Sequence, residues 1–551
     1  MRPHPGKLGA YGIGVLLTAL LLAAPILYIF SYVFQPAGEV WQHLADTVLQ
    51  EYVLNSLWLM LGVGAGTLVL GVGTAWLTTL CEFPGRRVFQ WALLLPMAVP
   101  AYIIAYTYTG LLDFAGPVQT YLREWFDWGF GDYWFPEIRS LPGAIVMLSL
   151  VLYPYVYLLA RAAFLEQSVC VLEVSRTLGC GPWRGFFTVA LPLARPAIIA
   201  GLTLALMEAL ADFGTVQYFG VNTFTTGIFR TWFGLGDSGA AAQLAALLMT
   251  FVLVLIVLER WSRRQARYHH TTQRYRELPR YPLRGWTAAG ALAACVLPLA
   301  FGFLIPGGQL AVWGFATYGE TLDAQFFVLV RNSVLLAAGA ALIALALALF
   351  LAYGKRLHGA RSVAAAVRIA GMGYAVPGMV IAVGVMLPFA WIDNTVDAWM
   401  RAQFGISTGL LLSGTLVALL FAYTVRFLAV ALHTVDAALG KIRPSMDDAA
   451  RSLGWRPTQV LGRIHLPIMR GSLLTALLLV FVDVLKELPA TLVLRPFNFN
   501  TLAVRAFELA SDEMLAQSAT AALAIVLAGL LPVILLSRSI NRSRPGFANV
   551  A

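Results

Sequence analysis

The stretch Glu173-Val-Ser-Arg-Thr-Leu-Gly179 recurs later in the chain as Asp448-Ala-Ala-Arg-Ser-Leu-Gly454. Both copies continue at one constant offset to a Leu-Pro pair, which is Leu191-Pro192 in the first and Leu466-Pro467 in the second. Each copy is a polar segment in a chain of 551 residues that is 59% hydrophobic and has a mean hydropathy of +0.75. A duplicated polar segment in such a chain indicates a membrane protein with two related halves.

Long apolar runs predict an all-α membrane protein with about 12 transmembrane helices, because a helix needs about 20 apolar residues to cross a bilayer. The spans are predicted near residues 10–34, 54–80, 88–112, 142–163, 194–216, 240–258, 287–306, 330–353, 365–391, 409–433, 471–494 and 517–537.

The charges between the spans predict the orientation. With the N-terminus in the cytoplasm, the short basic loops fall inside and the acidic 113–139 loop falls outside, as the positive-inside rule requires. Both termini and both repeated segments are then cytoplasmic. The net charge of +10 therefore reflects topology, and we expect no nucleic-acid partner.

Two halves of six spans each follow from this count. The first half is residues 1–258 with its repeated segment at about 166–192, and the second is 287–551 with its repeated segment at about 440–468. A basic cytoplasmic linker, 259–286, separates them. An even number of spans gives both halves the same orientation, so a pseudo-twofold axis along the membrane normal should relate them. Further matched landmarks are Asn55-Ser56 with Asn332-Ser333 and Ala98-Val99-Pro100 with Ala375-Val376-Pro377.

Glycine and proline positions predict a bent pair of short helices in each repeated segment. In the second copy, Ser445 is a workable N-cap, and Gly454 suits the left-handed position that ends a helix. Pro457 suits the first turn of the next helix, which Leu466-Pro467 should end.

Both copies resemble the signature loop of bacterial ABC importer permeases, in which Glu-Ala-Ala, three residues, Gly, nine residues and Ile-x-Leu-Pro follow one another. The first copy departs from this pattern at Val174 and Ser175, and the second at Asp448. The resemblance implies that the segments couple the chain to an ATPase. The implied coupling residues are Glu173, Ser175, Gly179, Pro182, Leu191, Pro192, Asp448, Ala450, Gly454, Pro457, Leu466 and Pro467.

The fused layout, with Ala211-Asp-Phe-Gly-Thr215 and Lys486-Glu-Leu-Pro-Ala-Thr491, resembles the ferric-iron permeases, to which the thiamine permease is a close relative. This implies a multi-pass protein of the bacterial inner membrane that imports ferric iron, or thiamine or another small solute, by alternating access. The implied partners are two copies of an ABC ATPase subunit and a periplasmic or extracellular solute-binding protein.

The chain has no ATPase motif of its own. A phosphate-binding loop needs Gly-Lys followed by Ser or Thr, and none of Gly6-Lys7, Gly354-Lys355 and Gly440-Lys441 is followed by either. We therefore expect a transport subunit without a cofactor, and ATP and magnesium on the partner. The four cysteines have no metal-ligand spacing, so no metal site is predicted.

Ionisable residues inside spans are functional candidates, because they are costly there unless they are paired or face a cavity. Glu208 and Asp212 lie four residues apart, and Asp483 and Glu487 repeat this spacing around Lys486. One hypothesis is that all five line a translocation path. The alternative is that they pair with one another or join helices.

An alternative hypothesis, from another class of transport protein, is an ion-coupled secondary transporter that uses the intramembrane acids as a proton or cation relay. That hypothesis leaves the matched polar segments without a role. An aromatic cluster in the 113–139 loop is expected to seat this loop at the membrane interface, with a binding-protein docking surface as the alternative.

Overall fold

A computed structural model of the protein describes residues 9–36, 38–129, 131–167, 177, 181–264 and 280–542. Within these ranges the chain is almost entirely helical. The strands in the described ranges are β1 (Cys81–Glu82) and β2 (Tyr281–Pro282), which pair in parallel and fasten the end of the linker beneath the second span.

Twelve helices precede the linker. They are α1 (Ala10–Ser31), α2 (Glu39–Thr47), α3 (Leu49–Leu80), α4 (Arg86–Ala92), α5 (Ala101–Leu112), α6 (Pro117–Phe126), α7 (Leu141–Glu166), α8 (Pro182–Gly185), α9 (Leu191–Ala211), α10 (Gly214–Tyr218), α11 (Phe224–Phe229) and α12 (Ser238–Arg264), all within the described ranges.

Twelve more follow it. They are α13 (Trp286–Leu299), α14 (Ile305–Thr321), α15 (Ala324–Leu357), α16 (Arg361–Ala370), α17 (Gly378–Phe404), α18 (Leu416–Gly440), α19 (Pro444–Ser452), α20 (Pro457–Val460), α21 (Leu466–Leu485), α22 (Pro489–Leu494), α23 (Leu502–Ser511) and α24 (Leu515–Arg542), again counted over described residues.

Eleven helices of the described chain are long and apolar enough to cross a membrane, and a twelfth span results if one bent pair is counted as one. The predicted all-α membrane fold is therefore confirmed. The bent pair, Arg86–Ala98 with Ala101–Phe126, turns by 90° inside the predicted span 88–112.

Proline explains the bend. Val99 precedes Pro100 and has extended backbone angles, because a residue before proline is pushed out of the helical region. Val376 before Pro377 does the same at the matched place in the second half, so α16 and α17 are separate helices within the predicted span 365–391. The repeated Ala-Val-Pro landmark therefore marks a helix break in each half.

The chain divides into two compact units. Unit 1 comprises Met1–Trp41, Thr231–Leu247 and Ala324–Val504, and unit 2 comprises Gln42–Arg230, Leu248–Asp323 and Arg505–Ala551. Within unit 1, α1 packs on α16 and α17, and within unit 2, α14 packs on α5 and α24. Each unit therefore takes its first span from the opposite sequence half, and unit 2 also takes α24 from the second half. The sequence repeat gave no reason to expect this exchange.

The matched asparagines make matched contacts. Asn55 Nδ2 donates to the carbonyl oxygen of Asn222 at 2.9 Å in unit 2. Asn332 Nδ2 donates to the carbonyl oxygen of Asn500 at 3.3 Å in unit 1. In both places the bond ties the second span of a half to the loop after a short helix, α10 in the first half and α22 in the second. This part of the repeat is therefore structural.

Candidate functional site: two repeated segments and two broken helices

The second repeated segment (448–467) begins within the short helix α19. The helix ends in two backbone hydrogen bonds, from Gly454 N–H to Arg451 O at 2.9 Å and from Trp455 N–H to Ala450 O at 3.1 Å. This pattern is a Schellman motif, and it needs a left-handed residue at Gly454, whose φ is +81°. The predicted helix end at Gly454 is therefore confirmed.

Two predicted details of this segment are wrong. Ser445 is not the N-cap, because α19 already begins at Pro444 and Arg443 holds the cap position without a side-chain cap bond. Proline is favoured in the first turn, where its missing N–H costs nothing. Leu466-Pro467 does not end the second short helix either: α20 passes through a π-helical turn, Leu461–His465, directly into α21. The segment is thus continuous with a transmembrane span.

Three charged or polar side chains hold α19 in place. Asp447 Oδ2 pairs with Arg356 Nε at 2.7 Å, and Asp447 Oδ1 accepts a hydrogen bond from His465 Nε2 at 2.7 Å. Arg356 lies in the last turn of α15, and its other nitrogens donate to the carbonyl oxygens of Leu439 and Ile442. We call Arg356, Asp447 and His465 the ionic anchor.

The ionic anchor is shielded from water. His465 is fully buried and Asp447 is 8% exposed. Burial alone would raise the pKa of Asp447, but hydrogen bonds from Arg356 and His465 outweigh it and hold that pKa below its ordinary value. Tyr353 completes the contact, because its hydroxyl donates to Pro457 O at 2.6 Å and its ring lies edge-on to His465.

The predicted coupling residues of this segment divide into exposed and buried positions. Ala450 is buried against the protein. Asp448 is exposed and makes only a long ion pair with Arg451, at 3.9 Å. Gly454, Pro457 and Pro467 are also exposed, and Leu453 stands 74% exposed at the tip of α19. The segment therefore exposes the carboxylate of Asp448 and the side chain of Leu453.

The first repeated segment (173–192) is described only in part. Glu173, Ser175 and Gly179 lie outside the described residues. From Pro182 onward the backbone repeats the second copy: α8 passes through a π-helical turn, Phe186–Ala190, into α9. Leu191 and Pro192 stand in the first turn of α9, as Leu466 and Pro467 stand in the first turn of α21.

Aromatic packing replaces charge at this first segment. The ring of Trp76 in α3 stacks on Trp183 at 5.5 Å and meets Phe186 edge-on at 5.2 Å, between ring centroids. Gln167 Nε2 donates to Ala190 O at 2.7 Å. We call Trp76, Trp183 and Phe186 the aromatic anchor. Trp76 lies near the end of its span as Tyr353 does in the second half, and it contacts the short helix α8 where Tyr353 contacts the start of α20.

Sequence reasoning missed both anchors. Asp447 was passed over because its neighbour Asp448 fits the signature pattern. Arg356 and Trp76 lie about 100 residues before the segments they hold, so no local spacing points to them. The one available signal was that Tyr353 and Trp76 occupy matching places near the ends of matching spans.

In each half one helix is interrupted and continues as a short helix, and we call these pairs the broken helices: α9 with α10, and α21 with α22. In the second broken helix, a glutamate caps the short helix α22. Glu487 accepts hydrogen bonds from the backbone N–H groups of Ala490 and Thr491, at 2.9 and 3.0 Å, and so caps α22. Arg426 Nη1 lies 3.1 Å from Glu487 Oε1, and both side chains are buried. Gly378 is the neighbour of this pair, and a Cβ there would overlap both side chains.

The first broken helix is closed in the same way. Asp212 follows the end of α9, and Asp212 Oδ1 accepts a hydrogen bond from Thr215 N–H at 3.0 Å, which caps α10. The helix is therefore interrupted between α9 and α10 as it is between α21 and α22. In the described part of the chain, however, Asp212 makes no ion pair.

The other two acids differ as well. Asp483 Oδ1 pairs with Lys486 Nζ at 2.9 Å, as the sequence alternative foresaw. Glu208 makes no ion pair within the described ranges. Asp483 and Glu487 of the second half therefore each have a cation beside them. Glu208 and Asp212 of the first half have none among the described residues.

The 113–139 loop folds over a cavity of about 730 Å³ in unit 2. Its wall includes Asp113, Glu137, Arg139 and Glu513, and Arg139 pairs with Glu513 at 2.8 Å. Phe126, Trp128 and Tyr133 stack on one another, while Trp125 and Trp134 are 85% and 86% exposed. The loop is thus compact and presents aromatic side chains outward.

Comparison with known proteins matches this arrangement to one family. The Fe(3+)-transport system permease protein FbpB 2 of Haemophilus influenzae is 26% identical over 541 residues, which cover 95% of this chain and 97% of that protein. The molybdenum transport system permease protein ModB of Escherichia coli is 28% identical over 36% of this chain and 87% of its own length. The sulfate transport system permease protein CysW of Escherichia coli is 31% identical over 38% of this chain and 70% of its own length.

The family match covers both halves. Residues 67–268 and 344–546 each match the model described as "Binding-protein-dependent transport system inner membrane component". The two matches include both repeated segments and both broken helices. The chain is therefore a multi-pass membrane transport subunit, and it belongs to the binding-protein-dependent transport system inner membrane component family.

Proposed function

We propose that the chain is the fused membrane subunit of an ATP-driven importer of ferric iron, in which the two repeated segments are the coupling elements for two copies of a separate ATPase subunit. The observation that carries this proposal is the matched backbone of the two segments from Pro182 and Pro457 onward. In each, a short helix passes through a π-helical turn into a transmembrane span. Two equal docking elements suit a partner with two equivalent faces.

The coupling residues have distinct roles in this proposal. Asp448, Leu453 and Pro457 are exposed and contact the ATPase, while Ala450 packs inward and supports α19. Gly454 fixes the bend between the two short helices through its positive φ. Leu466 and Pro467 join the segment to α21. The matched positions Glu173, Ser175, Gly179, Pro182, Leu191 and Pro192 serve the first copy.

The topology of the proposal follows from the charge pattern. Both termini, the linker 259–286 and both repeated segments are cytoplasmic, and the halves 1–258 and 287–551 each supply one docking element. The 113–139 loop lies on the outer face, where a solute-binding protein delivers the substrate.

Ferric iron is the proposed cargo because the relative that spans nearly the whole of this chain is a ferric permease. The relatives named for molybdenum and sulfate transport each match little more than a third of it. Carboxylate oxygens suit a hard cation. We assign the path-lining role first to Glu208 and Asp212, which have no cation partner in the described ranges. Asp483, Lys486 and Glu487 line the path as charge-balanced groups.

Copurification and uptake test the coupling role. The purified chain should retain its ATPase subunit, and the Gly179→Val/Gly454→Val double variant should lose ATP-driven uptake in vesicles while its amount in the membrane stays unchanged. A chain that retains no ATPase, and whose uptake follows a proton gradient instead, would make it an ion-coupled secondary transporter.

Competition tests the cargo separately. Vesicles supplied with the binding protein should take up labelled ferric iron, and excess unlabelled ferric iron should suppress the signal whereas excess thiamine should not. If only thiamine suppressed the signal, the chain would still be an importer subunit, but its substrate would be thiamine and not ferric iron.

A further inference from the structure

The two repeated segments share a backbone but are held by different chemistry, and this difference has a functional consequence. We propose that Asp447, Arg356 and His465 are positioning residues for ATPase coupling at the second repeated segment, and that this coupling requires the ionised carboxylate of Asp447. The described part of the first segment, from Pro182 onward, is held by the aromatic anchor, which contains no ionisable group. The proposal rests on the proposed function and deepens it.

The geometry places Asp447 at a junction of four elements. Arg356 brings the end of α15, and its bonds to Leu439 and Ile442 add the end of α18 and the turn after it. His465 brings the π-helical turn that leads into α21. Asp447 itself lies in the first turn of α19. Both of its carboxylate oxygens are used, so one group fixes the docking helix to three other parts of unit 1.

This junction lies on the mechanical route from the docking helix to the span. Because α20, the π-helical turn and α21 are continuous, a displacement of α19 can reach α21 through the Gly454 bend and through the His465–Asp447 contact. The bend is a single turn of backbone. The ionic anchor provides the second, stiffer connection.

The charge of Asp447 is what makes the connection strong. The side chains of Arg356 and Asp447 are only 17% and 12% exposed, so water and salt screen the pair weakly. Removing the charge of one partner leaves the other buried and uncompensated, which costs far more than losing an exposed ion pair. An asparagine at 447 has the same shape and could still pack, but it would not hold Arg356 as a carboxylate does.

The experiment uses the full chain with its ATPase subunits and binding protein in proteoliposomes, and measures both ATP hydrolysis and substrate uptake. Asp447→Asn should lower the substrate transported per ATP hydrolysed by about tenfold, which corresponds to the loss of one charge-assisted hydrogen bond. His465→Gln, which keeps a donor near the Nε2 position, should retain most of the coupling. Arg356→Lys, which keeps the charge but loses the planar fork, should not.

The matched control is Asp436→Asn. Asp436 pairs with Lys355 at 2.8 Å, beside the anchor, and within the described residues it has no hydrogen bond or ion pair to the repeated segment. The Asp436→Asn variant should transport as much substrate per ATP hydrolysed as the wild type. Transport and hydrolysis are compared at a temperature at which melting curves show the wild type and all four variants to be folded, which separates coupling from folding.

The outcomes separate the two proposals. A wild-type chain that binds no ATPase overturns the proposed function itself. A wild-type chain that binds and couples, with Asp447→Asn coupling equally well, overturns the ionic anchor and leaves the proposed function standing. Poor coupling by Asp447→Asn together with good coupling by His465→Gln supports the anchor.

Discussion

The two repeated segments solve one mechanical problem with two kinds of contact. Both have a short helix, a π-helical turn and a span in unbroken succession. One is held by stacked rings around Trp76, the other by the carboxylate of Asp447 between Arg356 and His465. The described backbones are alike in that Pro182 and Pro457 each begin the short helix before the π-helical turn. The holding contacts could change because any firm contact keeps the segment in place.

The broken helices repeat this lesson. Asp212 and Glu487 each cap the short helix that follows the break, so the backbone role is common to both. The charge around them is not, since only Glu487 has a buried arginine beside it within the described ranges. Equivalent acids in the two halves should therefore respond differently to substitution.

The largest loss of stability is expected at the buried Arg426–Glu487 pair of the second half. Arg426→Leu leaves Glu487 buried without its cation and should lower the free energy of unfolding by about 3–5 kcal/mol. Denaturant titration of the chain in mixed micelles measures this.

The comparison is with Asp212→Asn in the first half, which loses only part of a helix cap and should cost about 1 kcal/mol. Equal losses in the two variants would mean that the halves do not differ at their broken helices.

A somewhat smaller effect separates the two anchors. Trp76→Ala removes a buried ring from the aromatic anchor and should lower the free energy of unfolding by about 3 kcal/mol, with little dependence on salt. Its counterpart Tyr353→Phe loses one hydrogen bond, to Pro457 O, and should cost about 1 kcal/mol. A reversed order of the two losses would contradict the assignment of the first segment to aromatic packing.

The bend at Gly454 should respond next. Gly454→Ala meets no steric neighbour but forces a Cβ into a left-handed conformation, at a cost of about 1 kcal/mol. Gly471→Ala in α21 is the matched control, because Gly471 also has open space but lies inside a helix, where alanine is favoured by about 0.5–1 kcal/mol. The free energy of unfolding should fall in Gly454→Ala and rise in Gly471→Ala. Changes of the same sign would show that a Cβ at Gly454 causes no strain.

The smallest effect is the pH dependence of the ionic anchor. The pKa of Asp447 is lower in the folded chain than its ordinary value, because the bonds from Arg356 and His465 outweigh burial. Such a carboxyl group stabilises the fold above its unfolded-state pKa of about 3.9, and the stabilisation is lost as the pH falls through the lower folded-state value. The stability difference between wild type and Asp447→Asn should therefore be constant from pH 8 to about 5 and shrink at more acid pH.

Substitutions in the aromatic anchor should show no such trend. A Trp76→Ala difference that shrinks with acid in the same way would mean that the trend does not come from Asp447.

Local features of the fold could be predicted from the sequence. Apolar length predicted the spans, and Gly454 predicted the end of α19, because a left-handed position almost requires glycine. Pro100 and Pro377 were noticed as a repeat but not read as helix breaks. Proline inside an apolar run can also continue as a kinked helix, so its effect depends on what packs around it.

The anchors depend on contacts between distant parts of the chain, which one sequence does not specify. Asp447 and Asp448 differ in role only because α19 turns one inward and the other outward. The exchange of first spans between the units is a similar case, because α1 looks like any other apolar helix until its neighbours are known.

That exchange also fixes the order in which the protein can be assembled. Helix α1 is made first, yet its partner α17 begins at Gly378. About 350 residues must be synthesised in between, which at about 5–20 residues per second takes roughly 20–70 s. During that time α1 lies in the bilayer without α17, and unit 2 likewise lacks α24 until that helix is made. A gene cut at the linker would thus yield two fragments that each lack a span of their own unit, and only joint expression should restore the fold.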